Sequence, residues 1–502
     1  MPNLLYDALF GRNAAATTPF LQHDGGHVLT HAGFVTRASR MAHALAGLGL
    51  GPGDRVAVQA EKSADVLAVY AACVQSGLVF LPLNPAYTPA EMDYFIGNSG
   101  ASLLVAGSAK APALAEVAAR HGAQLQTLDQ DGTGTLVDLA EGQPDHFPTA
   151  RRAADDLAAI LYTSGTTGRS KGAMLTQGNL LSNAQVLVQA WGFTKDDVLL
   201  HALPIFHTHG LFVATNVALL SGGAMIFLPR FDPQQIINLL PQATAMMGVP
   251  TFYTRLMDHP RLDAGLTAHI RLFISGSAPL LAETHRAWTA RTGHRILERY
   301  GMTETNMNTS NPLHGDRRPG TVGLPLPGVD LRICDGATAL PPGQIGTIEV
   351  RGPNVFAGYW GMPEKTAEEM RADGFFITGD LGVMDADGYV TIVGRAKDMI
   401  ISGGLNIYPV EVEAAIDALP GVLESAVVGV PDADMGEVAV AVVVGLPGVE
   451  LDAGALLVAL GQTLARFKLP RRIVLRDGLP RNAMGKVQKA ALRAEVGRIF
   501  DY

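Results

Sequence analysis

The sequence predicts an α/β protein. It has a large N-terminal domain of mainly parallel sheets with crossover helices plus a β subdomain, followed by a small α+β C-terminal domain. Three observations carry this reading. From residue 55 to 128, short apolar strand-like runs alternate with helix-length segments, the rhythm of parallel strands joined by crossover helices. From Gly320 the texture changes to short strands and turns. From Asp398 to Tyr502 a separate unit resumes a mixed pattern of helices and strands. The 502 residues leave room for two or more domains with large cores. The predicted division is residues 1–396 and residues 397–502.

Taken in order, residues 20–60 alternate short strands with a helix over Phe34–Leu48. The glycine-rich run from Gly47 to Gly53 precedes the strand Arg55–Gln59 instead of following it. It therefore stops a helix and turns the chain, and does not build a dinucleotide loop. Residues 66–90 carry no charge and are long enough to cross a membrane. Gly77, Pro82, Asn84 and Pro85 break the run, which predicts a helix over 64–76 and a strand over Leu78–Leu81 in buried core. The rhythm continues with helix Ala90–Ser99, strand Ser102–Val105, helix Ala111–His121 and strand Gln124–Leu128. Residues 130–150 are polar and read as an irregular surface connection.

Leu157–Tyr162 reads as a buried strand, and helical apolar spacing returns at Leu180, Leu181 and Val186. Further strands are expected at Asp197–Pro204, Ala224–Leu228, Ala245–Pro250 and Leu272–Pro279, with a helix at Pro233–Leu240. The β subdomain is predicted from Val329–Cys334, Gly346–Gly352, Phe375–Gly379 and Gly388–Gly394. The C-terminal unit is predicted to hold helices Pro409–Ala418 and Ala453–Leu464 and strands Glu424–Val430, Val438–Val444 and Ile473–Leu475.

Hydrophobic residues make up 48% of the chain and charged ones 17%, with 56 glycines and 30 prolines. This is a folded, turn-rich composition. A net charge of −9 argues against nucleic acid as a partner. The two cysteines, Cys73 and Cys334, show no CxxC spacing, so neither zinc nor a disulfide framework is expected, and a reducing compartment follows. Met1–Pro19 lacks the basic start and apolar core of a signal peptide. The expectation is a cytoplasmic protein with no membrane span.

The strongest chemical signal is Thr163-Ser164-Gly165-Thr166-Thr167-Gly168-Arg169-Ser170-Lys171-Gly172. These ten residues hold three glycines, five hydroxyls and two bases, with no acid. Glycines let backbone approach a ligand closely. Hydroxyls and successive N–H groups donate, and Arg169 and Lys171 add charge, so the segment suits phosphate oxygens. It is read as a loop between a strand and a helix. It is not a Walker A loop, because Lys171 follows Gly168 by three and is itself followed by Gly172, leaving no hydroxyl for magnesium there. A second compact signal is Glu298-Arg299-Tyr300-Gly301-Met302-Thr303-Glu304, where an aromatic, a glycine, a hydroxyl and an acid fall within five residues. His207 and His209 lie two apart, with no third metal ligand in view, so a packing or pocket role is expected.

The loop resembles the signature of adenylate-forming enzymes, a family that includes acyl-CoA synthetases, firefly luciferases and the adenylation domains of peptide synthetases. The resemblance covers nearly the whole chain, with the motifs in order. It implies that Thr163, Ser164, Gly165, Thr166, Thr167, Gly168 and Lys171 hold the phosphates of ATP. Gly276, Ser277 and Ala278 would support adenine, with Tyr300 stacked on it. Glu298 and Gly301 belong to the same nucleotide motif, and Thr303 would contact phosphate. Glu304 and Thr167 would help hold magnesium, which needs only one protein acid besides the nucleotide. Asp380 would accept from both ribose hydroxyls, and Arg395 would reach ribose and phosphate. His207 would lie near the reacting carboxylate. Lys397 matches the hinge of a mobile C-terminal lid, and Lys486 the adenylation lysine. Ala483 replaces the usual threonine of that tail. Ser402, Gly403, Gly404 and Leu405 would guide the pantetheine thiol of CoA.

The implied activity is AMP-forming acid–CoA ligation. A carboxylate attacks the α-phosphorus of ATP, pyrophosphate leaves, and CoA thiol then takes the acyl group. Arg299 points to the acid, since a guanidinium facing the acyl pocket would pair with a second carboxylate. Arg255 is read as a second clamp, and Thr208 and Met307 as limits on the α-substituent. The pattern most resembles malonyl-CoA synthetases acting on malonate and methylmalonate. The competing readings are a short-chain monocarboxylate or aryl-CoA ligase, a domain loading a carrier protein, and a non-catalytic nucleotide-binding regulator.

Overall fold

The computed structural model describes residues 3–22, 26–163, 170–402, 405–432, 435–482 and 485–497. Two large sheets form the N-terminal part. One runs, edge to edge, Gln124–Thr127, Leu103–Ala106, Arg55–Gln59, Val79–Pro82, Leu157–Thr163 and Lys171–Thr176. Its strands are parallel except for the last, which pairs antiparallel with Leu157–Thr163. The other sheet centres on parallel strands Ala224–Phe227, Val198–His201, Ala245–Gly248, Leu272–Ser275 and Leu297–Met302. Antiparallel partners sit towards its ends, at Val28–Thr30 on one side and Asn306–Ser310 on the other. Parallel strands need crossovers, and the helices predicted between them are there.

The uncharged window resolves as predicted. Ser63 caps the helix Ala64–Ser76 by accepting from Val66 N–H, Gly77 ends it in the left-handed region at φ 73°, and every residue of the helix is buried. Tyr70 in that helix donates to Asn216 Oδ1 at 3.3 Å and packs edge-on against Phe212. A helix whose one charged residue, Asp65, pairs with Arg37 at 3.0 Å is thus buried along its whole length. Among the described residues no helix is long and apolar enough to cross a membrane.

A five-stranded antiparallel sheet built around Asp330–Asp335, Gly346–Arg351, Phe376–Met384 and Val390–Arg395 forms the β subdomain. The small C-terminal domain packs its own sheet, with Val422–Asp432 antiparallel to Gly436–Gly445 and Arg472–Arg476 parallel to the latter. Helices Pro409–Asp417, Ala453–Leu460 and Lys489–Gly497 bury residues against it. Along Gly436–Gly445, Ala439, Ala441 and Val443 face one apolar cluster and Val440 and Val442 another, which is why the strand reads as an unbroken apolar run.

Three expectations are corrected. The phosphate-binding segment does not join a strand to a helix. Its flanks are two antiparallel strands, Leu157–Thr163 and Lys171–Thr176, with Thr163 opposite Lys171. Gly172 and Ala173 are too small to announce a strand, yet they fit there because bulk is excluded: a Cβ on Gly172 would stand 2.9 Å from Ile160 Cγ2. Second, the connection over residues 130–150 contains a helix, Thr135–Ala140, that buries Leu136 and Ala140. Third, the strand expected over Asp197–Pro204 covers only Val198–His201, and the chain goes on into a π-helical turn, His209–Thr215, which continues as helix Asn216–Ser221.

Candidate active site

The C-terminal ends of the parallel strands and the base of the hairpin at Thr163 converge on one region. Ser164, Gly165, Thr166, Thr167 and Gly168, and likewise Gly403 and Gly404, lie outside the described residues. At the hairpin base, Thr163 Oγ1 lies 3.4 Å from Lys171 O. Lys171 Nζ donates to Glu369 at 3.0 Å and sits 4.0 Å from the Tyr359 ring centroid. The Tyr359 hydroxyl lies 2.6 Å from Glu369 Oε2 and 3.0 Å from Glu304 Oε1. One phenol carries one proton, so one of these contacts needs a proton on the carboxyl side. Burial raises the Glu304 pKa, while the Tyr359 and Lys171 contacts lower that of Glu369 against its own desolvation.

Tyr300 and Asp380, both buried, meet across 80 positions, the phenol donating to Oδ2 at 2.5 Å. Arg395 Nε lies 2.6 Å from the other oxygen, Oδ1. Gly301 marks a bulge between Tyr300 and its partner strand, and a Cβ there would stand 1.8 Å from Asn306 O. Only glycine fits. Thr303 is half-buried on the turn that leads to Glu304.

Arg299 is 2% exposed. Its Nε and Nη2 have no hydrogen-bond partner among the described residues. Burial lowers its pKa to about 10. Glu298, next in sequence, does not pair with it: its Oε1 accepts from Leu280 N–H at 3.2 Å, Oε2 has no partner, and burial lifts its pKa to about 8. Gly276 lies against the guanidinium, since a Cβ on it would stand 2.4 Å from Arg299 Cζ. Ser277 and Ala278 follow half-buried. Thr208 is buried with its hydroxyl unpartnered. Met307 is 2% exposed, its Cε 2.6 Å from where a Cβ on Gly301 would be. His207 is half-buried, and desolvation lowers its pKa to about 4. Arg255 is exposed on helix Pro250–Met257, whose buried residues are Tyr253 and Leu256.

A family model described as "AMP-binding enzyme" matches residues 10–360, and one described as "AMP-binding enzyme C-terminal domain" matches residues 411–486. The chain belongs to the AMP-binding enzyme family. Among curated relatives, a feruloyl-CoA synthase from Amycolatopsis sp is 39% identical over 94% of this chain and 95% of its own. A malonate–CoA ligase from Arabidopsis thaliana is 36% identical over 89% of this chain and 79% of its own. A sulfoacetate–CoA ligase from Cupriavidus necator is 37% identical over 94% and 93%. The crystal structure of ATP-bound MatB from Rhodopseudomonas palustris superposes with a TM-score of 0.98 at 56% identity, covering 100% of both chains. Apo MatB, equally identical over the same span, gives 0.86. Sequence is constant between those two comparisons, so the present arrangement follows the ATP-bound form. This AMP-binding enzyme is therefore an acyl-CoA ligase that takes a carboxylic acid, ATP and CoA.

In that arrangement the C-terminal domain reaches the site. A Cβ on Gly485 would stand 3.0 Å from Thr251 Oγ1 in the N-terminal part. Lys486 N–H donates to Asn482 Oδ1 at 3.0 Å, fixing the turn. The Lys486 side chain keeps accessible surface, yet its ammonium stands in a crowded cleft. Desolvation, then the neighbouring Arg395, lowers its pKa, while Asp380 opposes the shift. Lys397 is exposed on the short turn Ala396–Asp398. Ser402 is buried, and its strand Ile400–Ser402 pairs with Leu405–Ile407.

Two groups escaped sequence reasoning. Glu369 is 198 positions from Lys171, and nothing in its local sequence marks it. Lys62 is 7% exposed and donates to His201 Nδ1 and His201 O, both at 2.9 Å. His201 Nε2 then meets Gly210 O at 2.8 Å. A buried lysine beside a strand end carries no local signature.

Proposed function

We propose that this acyl-CoA ligase activates small acids bearing a second anion on the α-carbon, with malonate and methylmalonate the preferred substrates. The observation that carries the reading is Arg299: a buried guanidinium with two orphan donors and no paired acid among the described residues. A buried, unpaired charge is costly, and a substrate carboxylate bound bidentately relieves it. Sulfoacetate places its sulfonate at the same one-carbon distance and belongs to the same chemical class. Acetate would leave the guanidinium unpaired, and ferulate would put an aromatic ring beside it.

The reaction runs in two halves. The reacting carboxylate oxygen bonds to the α-phosphorus as the bond to pyrophosphate breaks. Lys171, Thr163 and the loop Ser164–Gly168 would hold the phosphates, and Lys486 would bridge carboxylate and α-phosphate as charge develops. Tyr300, Gly276, Ser277 and Ala278 would frame the adenine, and Asp380, held by Tyr300 and Arg395, would take the ribose. Glu304 and Thr167 would help hold magnesium, which would neutralise phosphate charge.

In the second half the CoA sulfur bonds to the acyl carbon and AMP leaves. We place the domain boundary at 396/397, with Lys397 as pivot and Ser402, Gly403, Gly404 and Leu405 on the face that meets pantetheine. The buried cysteines, both free, suit a reducing compartment such as the cytoplasm. The test is CoA thioester formation with malonate, methylmalonate, sulfoacetate, propionate, benzoate and ferulate. The two-anion acids should show the highest kcat/KM. Preference for benzoate or ferulate would contradict the proposal.

A further inference from the structure

Lys171 carries the positive charge assigned above to the phosphates of ATP, yet in this structure it already has an anion. Glu369 ends the short helix Pro363–Glu369. Its Oε1 lies 3.0 Å from Lys171 Nζ and 3.2 Å from Lys365 Nζ, and its Oε2 accepts from the Tyr359 hydroxyl at 2.6 Å. Two ammonium groups therefore share one carboxylate oxygen. When Lys171 turns away, the carboxylate keeps Lys365 and Tyr359, so releasing that lysine does not strand a half-buried acid.

The backbone around the pair is fixed. Trp360 N–H donates to Gly172 O at 2.8 Å, and Tyr359 bridges Ala173, so the segment carrying Tyr359 is stitched to the strand that carries Lys171. Tyr359 N–H also donates to Thr366 Oγ1 at 2.9 Å, about one helical turn before Glu369. Gly358, at φ 125°, lets the two segments touch, since a Cβ there would stand 2.7 Å from Thr366 Cγ2. Lys171 and Glu369 can thus part and rejoin by side-chain rotation alone.

Position along the cleft indicates which phosphates are concerned. Asp380, read as the ribose acceptor, is held by Tyr300 and Arg395. Glu304 stands between the two ends: the charges of Lys171 and Arg395 both act on it, and Tyr359 links it to Glu369. Lys171 lies on the far side of Glu304 from the ribose end. The β- and γ-phosphates, which leave together as pyrophosphate, belong there.

We propose that Glu369 is a positioning residue for adenylation, an anion that competes with the β- and γ-phosphates for Lys171 and so hastens the departure of pyrophosphate. This rests on the reading of Lys171 as a phosphate ligand. ATP draws Lys171 off the carboxylate, which falls back on Lys365 and Tyr359. Once the bond between the α- and β-phosphates has broken, pyrophosphate is no longer tied to the adenosine contacts. Glu369 then takes Lys171 back as the product leaves. ATP tolerates the competition because adenine, ribose and α-phosphate hold it elsewhere; pyrophosphate has no such contacts.

The experiment measures inhibition of CoA thioester formation by pyrophosphate and by AMP, each against ATP, in the parent, Glu369→Gln, Glu368→Gln and Lys171→Met. Glutamine at 369 keeps the volume and an oxygen for Tyr359 but loses the charge. Its pyrophosphate inhibition constant should fall about three- to tenfold, the range expected on removing a part-exposed ionic competitor. AMP, which lacks both leaving phosphates, should change by less than about twofold. Damage to the fold weakens ligands and does not tighten one product selectively. Glu368 is the charge control: it is exposed on the same helix and pairs with Lys365, not with Lys171. Glu368→Gln should leave pyrophosphate inhibition within about twofold of the parent. An unchanged or weaker pyrophosphate inhibition in Glu369→Gln would overturn the proposal, as would equal tightening of AMP or equal tightening in Glu368→Gln. If Lys171→Met also leaves pyrophosphate inhibition unchanged, the phosphate reading of Lys171 fails with it. If Lys171→Met weakens pyrophosphate while Glu369→Gln does not tighten it, that reading stands and the role of Glu369 alone is lost.

Discussion

Lys171 and Glu369 form an ion pair of 3.0 Å across 198 positions of sequence, with the ammonium 4.0 Å from the Tyr359 ring centroid. Their side chains are 15% and 22% exposed, so water screens the pair only in part. The lysine that the resemblance assigns to phosphate is thus held by a carboxylate, and the same phenol ties that carboxylate to Glu304.

Removing the cation leaves two acids around one phenol. Lys171→Met should destabilise the protein by about 1–3 kcal/mol, read as a lowered denaturation midpoint. Adding Glu369→Gln should restore stability but not ATP-dependent activity. A double variant as unstable as Lys171→Met would show that the two charges are not coupled.

Gly276→Ala isolates the position of Arg299. Its backbone has no positive φ, so alanine costs little conformationally, yet the new methyl would stand 2.4 Å from Arg299 Cζ. The guanidinium must move. The KM for malonate should rise at least about tenfold, an energy of roughly 1.4 kcal/mol, while propionate turnover changes less. Equal loss for both acids would implicate the nucleotide turn instead.

Glu298 gives a pH dependence with a defined sign. Its carboxyl is lifted from 4.5 to about 8 in the fold, chiefly by burial. Between those two pH values the folded chain keeps a proton that the unfolded chain has released, so this residue makes the fold less stable as pH rises through the window. Glu298→Gln removes the effect. Relative to the parent, the variant should gain stability from pH 5 to pH 8.5, measured as the urea midpoint. A constant difference across that range would contradict the burial argument.

Much of the fold was legible because parallel strands buried on both faces read as apolar runs, and their crossovers carry strong stop signals. The helix predicted over 64–76 is Ala64–Ser76, ended by Gly77, one of the breaks read from the sequence. Legibility failed where small residues form a strand, as at Gly172 and Ala173, and where the helical apolar stripe is weak, as in the unpredicted helix Ala282–Thr292. The site divides differently. Residues clustered in the chain, such as Tyr300 to Glu304, announce themselves. Glu369, Tyr359 and Lys62 do not, because their meaning lies in partners reached only by folding.

Lys486 separates the two half-reactions. Lys486→Ala should slow malonate-dependent ATP–pyrophosphate exchange by roughly 10²–10³-fold, as expected for loss of one donor to developing charge. Transfer from preformed malonyl-adenylate to CoA should change by no more than about threefold, since on the proposed domain rotation this lysine is then withdrawn. Equal slowing of both halves would contradict that rotation.

The claim on which substrate choice depends is that the buried guanidinium of Arg299 reads a second anion. Malonate-dependent ATP–pyrophosphate exchange in Arg299→Met measures it most directly. The expected result is a loss of about 10²-fold or more in kcat/KM for malonate with the KM for ATP little changed; malonate kinetics equal to the parent's would contradict it.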